Sequence, residues 1–197
     1  SVSSGATLGG SGIISGATTL TTATLAAGSA AATAGTLTFG VGLALNTGSI
    51  FEWDMQQVAT TDPGAAPTAG GTNAGAYDKV LLNGLANSLA GSGDAIFKIV
   101  LGGGKTFTDA FWDTNKTWND VFTGTGTGTS LASIFNIFNA NGTNLTNGIV
   151  AGEGTFTFNG SSTLNWSAVP EPTTALAGLL LGAGLLRRRR GCALGPK

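Results

Sequence analysis

The sequence predicts an all-β fold: a right-handed parallel β-solenoid, or β-helix, with a short helical insertion, followed by one C-terminal hydrophobic helix. Three observations predict it. Apolar residues alternate with small or polar ones over long stretches, which is the period of strands with one buried face. Only 10% of the 197 residues are charged, 42% are hydrophobic and 33 are Gly. That balance suits short strands joined by tight turns, not the charged, Phe-poor composition of a disordered chain. Near the start, Leu8, Ile13, Leu20 and Leu25 recur at intervals of five to seven with small residues between them. Such spacing suits a stack in which each layer caps its neighbour.

Residues 1–34 are therefore read as short strands of a solenoid; a low-complexity, partly disordered segment is the alternative. From Gly35 to Met55 the apolar residues fall on odd positions: Leu37, Phe39, Val41, Leu43, Leu45, Phe51, Trp53 and Met55, with Ile50 the exception. Thr38, Gly40, Gly42, Ala44, Asn46, Glu52 and Asp54 lie between them. Asn46-Thr47-Gly48 is the turn expected to split this run into two strands. Thr60 to Ala76, with Asp62-Pro63-Gly64, Pro67 and Gly70-Gly71, reads as a loop. Strands resume at Tyr77–Leu82 and Ala95–Leu101, and Gly102-Gly103-Gly104 breaks the pattern.

Leu131, Ile134, Phe135 and Phe138 stand at helical spacing behind a potential cap, Ser130. Phe111, Trp118 and Phe122 form a second such stripe, with Asp109 near its start. Two short helices covering the end of the stack are expected, and a strand over Ile134–Phe138 is the alternative. Thr155–Phe158 and Thr163–Trp166 are strands joined at Asn159-Gly160, a strong hairpin signal. Val169-Pro170-Glu171-Pro172 then ends the β pattern with a stiff linker. The chain divides into a body (1–168), a C-terminal segment (169–190) and a short tail of no clear class (191–197). Ser1, preceded by neither Met nor a basic leader, is read as a mature end or the edge of a fragment.

The net charge of −1 hides an asymmetry. All four arginines are contiguous, Arg187 to Arg190; up to Leu186 there are four lysines against ten acids, a net −6. An acidic body without Arg makes a poor nucleic-acid partner, because that affinity comes from neutralising phosphates. Cys192 is the sole cysteine and His is absent. This removes a disulfide framework, a Cys/His metal site and a Ser-His-Asp triad from consideration. No cofactor is expected.

Asp109, Asp113 and Asp120 are the best carboxylates for a hydrolase, but capping and solvent exposure account for them more simply. Asp113 to Asn119 faintly follows a calcium loop, with Trp118 where the Gly belongs and Gly124 where the bidentate Glu belongs. Gly102–Gly104 before Lys105-Thr106 lacks the spacing of a P-loop. Asn115, Asn141, Asn144, Asn159 and Asn165 begin Asn-x-Ser/Thr sequons, a pattern this composition also produces by chance. Trp53, Trp112, Trp118 and Trp166 could stack on sugars if exposed, but their apolar stripes point to core packing.

Thr173–Leu186 is an uncharged run of fourteen residues. As a helix it reaches roughly 21 Å, short of the ~30 Å hydrocarbon core. Spanning requires snorkelling arginines and local thinning. Arg187, Arg188, Arg189 and Arg190 would hold that end in the cytoplasm as a stop. Gly178 and Gly182 form a small-xxx-small pair that lets another helix approach. Ala175–Leu186 has no polar face, which argues against an amphipathic surface helix.

Pro170, Glu171 and Pro172, then Ala175–Leu186, then the Arg cluster closely resemble the PEP-CTERM sorting signal of exported proteins in Gram-negative bacteria that make extracellular polysaccharide. The resemblance implies that Pro170-Glu171-Pro172 is the box recognised by exosortase, a membrane-embedded transpeptidase-like enzyme. It further implies an inner-membrane-anchored precursor destined for the cell surface or extracellular matrix. Gly35-Thr36-Leu37-Thr38-Phe39, Leu43 to Ser49 and Tyr77-Asp78-Lys79-Val80 look like the autotransporter-associated β-strand repeat, which builds parallel β-helices in secreted passenger-type proteins. The expected role is structural or adhesive, not enzymatic, with extracellular polysaccharide as a candidate partner. A surface-held carbohydrate-binding module and a degenerate polysaccharide-active enzyme are the rivals.

Overall fold

A computed structural model describes residues 1–28, 34–55, 77–83, 89–91, 94–101, 106–124, 130–139, 148–160 and 162–169. Within them the protein is all-β. The strands are β1 (Thr7–Gly10), β2 (Gly12–Ile14), β3 (Thr18–Leu20), β4 (Thr24–Ala27), β5 (Thr36–Phe39), β6 (Leu43–Leu45), β7 (Ile50–Met55) and β8 (Lys79–Leu82). There follow β9 (Leu89–Gly91), β10 (Ala95–Leu101), β11 (Lys116–Trp118), β12 (Phe122–Thr123), β13 (Phe135–Asn139), β14 (Ile149–Val150), β15 (Gly154–Asn159) and β16 (Thr163–Ala168).

Strand pairing shows a coil. One sheet runs β1-β4-β7-β10-β13, a second β12-β8-β5-β2 and a third β3-β6-β9, all with parallel neighbours. The chain visits the three sheets in rotation, so each of the first three turns adds one strand to each face. At about 4.8 Å per strand spacing, the five strands of the first sheet extend about 19 Å along the stack.

Register explains the alternating sequence. Leu8, Leu25, Phe51, Phe97 and Ile137 stack in one inward ladder; Ile14, Phe39 and Leu82 form another, and Leu37, Val80 and Phe122 a third. Each fully buried Leu or Phe contributes about 1.5–3 kcal/mol, and the residue one turn on covers it. Strands β1 to β4 give the N-terminal segment ordered pairing, with Leu20 and Leu25 fully buried. The inward residue of β2 is Ile14, which partners buried Phe39, while Ile13 is 73% exposed.

Leu37, Phe39, Leu43, Leu45, Phe51, Trp53 and Met55 are all buried, as the odd-position pattern requires. Asn46-Thr47-Gly48 is a turn, with Gly48 at φ 72° and the Ser49 N–H donating to the Asn46 carbonyl. The run makes three strands, not two. A second corner, Gly40-Val41-Gly42, turns the chain from the second sheet to the third and leaves Val41 exposed. One outward residue at the corner preserves the odd-even parity on both sides, so alternation conceals the break.

The two expected helices do not form. Around Phe111 there is one 3₁₀ turn, Ala110–Asp113, and Trp118 and Phe122 lie in β11 and β12. Leu131–Ser133 is another 3₁₀ turn, and Phe135 begins β13, so the strand alternative describes this segment. The cause is the open edge of β10: Ala95 to Ile99 pair in parallel with Phe135 to Asn139. A complete backbone ladder there outweighs a helical spacing of four apolar residues. Neither Ser130 nor Asp109 makes a side-chain cap bond; the Asp109 carboxylate accepts from the Thr106 N–H at 2.8 Å.

The fourth sheet, β11-β16-β15-β14, is antiparallel. Its hairpin turns at Asn159-Gly160, with Asn159 opposite Thr163. It packs on the later turns of the coil: the Phe158 ring lies 5.1 Å from Phe97 and 5.9 Å from Phe135, and Trp118 lies 5.5 Å from Trp53. Coil and antiparallel sheet share one hydrophobic core.

Candidate functional site

The sorting box Pro170, Glu171 and Pro172, the glycines Gly178 and Gly182, and Arg187 to Arg190 lie outside the described residues, as do the C-terminal helix and the loop at Thr60 to Ala76. Among the described residues no helix is long and apolar enough to cross a membrane.

The four tryptophans are at most 1% exposed. Trp53 donates its indole N–H to the Asp78 carbonyl at 3.0 Å, and Trp166 donates to the Trp112 carbonyl at 2.8 Å. Their ring faces are taken by Phe97, Phe107, Phe156 and one another, so they form core and offer no sugar platform. Asp113 and Asp120 are exposed. Lys116, inside the faint calcium pattern, is 4% exposed, with its ammonium 4.9 Å from the Phe111 ring centroid and against the Thr114 hydroxyl. Burial pulls its pKa down, and the Asp113 charge opposes that shift. A cation in the loop's interior is the reverse of a calcium site. Among the described residues no three His, Cys, Asp or Glu converge as metal ligands.

Two sequons are engaged structurally. The Asn115 amide oxygen accepts from the Ala168 N–H at 2.9 Å, and that of Asn165 accepts from the Thr117 hydroxyl at 3.0 Å. Asn159 is exposed at its hairpin, while Asn141 and Asn144 lie outside the described residues.

One buried polar cluster among the described residues was not singled out as a site by the sequence. Asp78 is wholly buried at the entry to β8. Its carboxylate accepts from the Gly35 N–H at 2.8 Å and the Asp54 N–H at 3.1 Å, and its own N–H donates to the Asp54 carbonyl at 3.0 Å. One side chain thus ties the strand entering β5 to β7 and β8, across successive turns. Burial pushes its pKa up to about 8; the nearby Asp54 and Glu52 charges add to this, and the two backbone donors pull against it. Withdrawal from water thus favours the neutral form of Asp78 against the pull of its two backbone donors. Asp54 is 1% exposed, although its place in the alternation assigned it to the outer face.

Beside the pair, Tyr77 donates its hydroxyl to the Asn119 carbonyl at 2.7 Å, and burial, aided by Asp120, pushes its pKa up to about 12. The Asp78 carboxyl holds the coil's corner, and neither it nor the buried Asp54 faces an external substrate. The only sequence signal was an acid standing next to Tyr77 and Val80 in the repeat-like segment.

Searches for relatives matched no protein family, no curated protein and no solved structure.

Proposed function

We propose that this chain is an exported structural or adhesive protein of the cell surface or extracellular matrix, without catalytic activity, delivered by its C-terminal segment. The observation that carries the reading is the order Pro170-Glu171-Pro172, uncharged Thr173–Leu186, Arg187–Arg190. Prolines resist helix and strand, the uncharged run partitions into a bilayer, and the arginines stop on the cytoplasmic side. An exosortase-like membrane enzyme is the proposed partner at the box, and the inner membrane is the first station.

The body supports that role. Parallel crossovers are right-handed in about 98% of cases, so the coil is proposed as a right-handed β-solenoid. Its stability rests on repeated register, which suits a stem that must present length rather than a cleft. The tryptophans that would favour the carbohydrate-binding rival are in the core.

The test is the C-terminal mass of the mature protein from its native host. The expected chain ends near Pro170–Thr173, free or joined to another moiety. A mature chain still ending at Lys197 would overturn processing at the box.

A further inference from the structure

We propose that the end of the antiparallel sheet from which the chain leaves, around Ile149 and Val169, is a membrane-contact face that rests among lipid headgroups. The inference rests on the reading above that Thr173–Leu186 enters the bilayer. Folded structure runs up to the sorting box without a spacer. On one side of the last strand the Ala168 N–H donates to the Asn115 amide oxygen at 2.9 Å, and on the other the Val169 N–H donates to the Glu153 carbonyl at 2.8 Å. The residue before Pro170 therefore belongs to the ladder and is not a free tether. Two large hydrophobic side chains stand exposed at this end, Ile149 at 51% and Val169 at 50%. They share the outer face of the sheet. Thr155 pairs with both Ile149 and Ser167, while Phe156, Leu164 and Trp166 are buried on the inner face. Val169 follows Ala168, which packs against the core, and so projects with Ser167.

The occupant follows from the length of chain between sheet and bilayer. Pro170, Glu171 and Pro172 alone separate Val169 from Thr173, a reach of at most about 14 Å. The headgroup layer outside the hydrocarbon is itself about 5–7 Å thick. The uncharged run falls about 9 Å short of the hydrocarbon thickness, which draws its outer end inward and shortens the reach further. A folded sheet held so close cannot stand clear of the headgroups, and the surface nearest the tether is the one around Val169. Ile149 and Val169 gain there by leaving water, each in proportion to the apolar area it buries. From Gly148 to Val169 the only charged residue is Glu153. A single negative charge suits a zwitterionic lipid surface better than an anionic one. Ile13, Val41 and Leu81 are exposed too, but they belong to the coil and not to this sheet.

The test places the full chain, with Cys192→Ser, in vesicles of phosphatidylcholine and phosphatidylethanolamine. An environment-sensitive fluorophore is attached at Ile149→Cys, Val169→Cys, Leu180→Cys or Ile13→Cys, one site per variant, and nitroxide lipids act as quenchers. Headgroup nitroxides should quench the fluorophore at Ile149→Cys and Val169→Cys and leave the one at Ile13→Cys bright. Acyl-chain nitroxides should quench the one at Leu180→Cys. Ile149 and Val169 are exposed, so these exchanges spare the core, and the blue-shifted emission of the four buried tryptophans reports an intact fold. A fluorophore in lipid at Leu180→Cys with those at Ile149→Cys and Val169→Cys in water overturns the contact and leaves the anchor standing. A fluorophore in water at Leu180→Cys overturns anchor and contact together. Equal quenching at Ile13→Cys would mean that the body meets the membrane without a defined face, and overturns the contact too. So would fluorophores at Ile149→Cys and Val169→Cys that leave water only in native membranes, which would assign the face to the membrane enzyme.

Discussion

The two ends of this molecule close a hydrophobic core by different means. In the first two turns the inward residues are aliphatic until Phe39, and each one meets the equivalent position of the next turn. From Phe107 onward the interior is filled by large rings: Trp112 alone contacts Phe107, Phe111, Trp118, Phe156 and Trp166. Repetition explains the first case, because a constant register leaves a constant gap that a Leu fills. Where the coil stops and an antiparallel sheet crosses its end, the gap is irregular. Wide, flat side chains with an N–H to anchor them fill such a space.

Truncation should separate the two ends most sharply. Trp166→Ala removes a fully buried ring and its bond to the Trp112 carbonyl, and should cost about 3–5 kcal/mol in chemical denaturation. Leu8→Ala, at a half-buried position in β1, should cost about 1 kcal/mol. Equal losses would show that β1 is as tightly packed as the antiparallel sheet. Glycines sharpen the contrast. Gly124 has φ 73°, and a Cβ there would lie 1.9 Å from the Leu82 carbonyl oxygen, so Gly124→Ala should cost at least about 2 kcal/mol. A Cβ at Gly12 meets nothing within 4 Å, and Gly12→Ala should stay within about 0.5 kcal/mol of the parent.

The same contrast governs what the sequence made legible. Alternation through Leu37 to Met55 and the Asn159-Gly160 hairpin could be read because each is a local rule with a period or a turn behind it. The corner at Gly40–Gly42 could not, since parity passes through it unchanged. The helical spacing at Leu131–Phe138 misled because the edge of β10, more than thirty residues earlier, supplies the ladder that fixes it as a strand. Asp54 and Asp78 were hidden for a related reason. Their burial depends on Gly35, Trp53 and neighbouring turns, and no window of sequence contains all of these. The sorting box was the opposite case, a motif legible from sequence that lies outside the described residues.

Asp78 sits between the two ends and makes their connection dependent on pH. Its folded pKa, about 8, stands above its ordinary 3.8. Between those values the folded protein keeps a proton that the unfolded chain has released. Its contribution to stability is therefore full below about pH 4, declines as pH rises and is gone above about pH 8. The slope contributed by this group should not exceed about 1.4 kcal/mol per pH unit. Asp78→Asn should flatten the pH dependence of the denaturation midpoint. A wild-type midpoint that rises from pH 5 to pH 8 would mean that the carboxyl is ionised in the fold.

A small effect is expected where the neutral turns meet the charged ones. Lys98 donates to Glu52 at 2.9 Å across β7 and β10, with both side chains partly exposed (29% and 20%). Such a pair is worth about 0.2–1 kcal/mol, and its two halves are not equivalent. Glu52 also adds negative charge near Asp78. Lys98→Met leaves that charge uncompensated beside the buried carboxyl, whereas Glu52→Gln removes it. Loss of the lysine should therefore cost more than loss of the glutamate, and the gap should widen as pH rises and Asp78 begins to ionise. A double-mutant cycle at low and high salt reads both terms; a larger loss from Glu52→Gln would separate the surface pair from the buried corner beneath it.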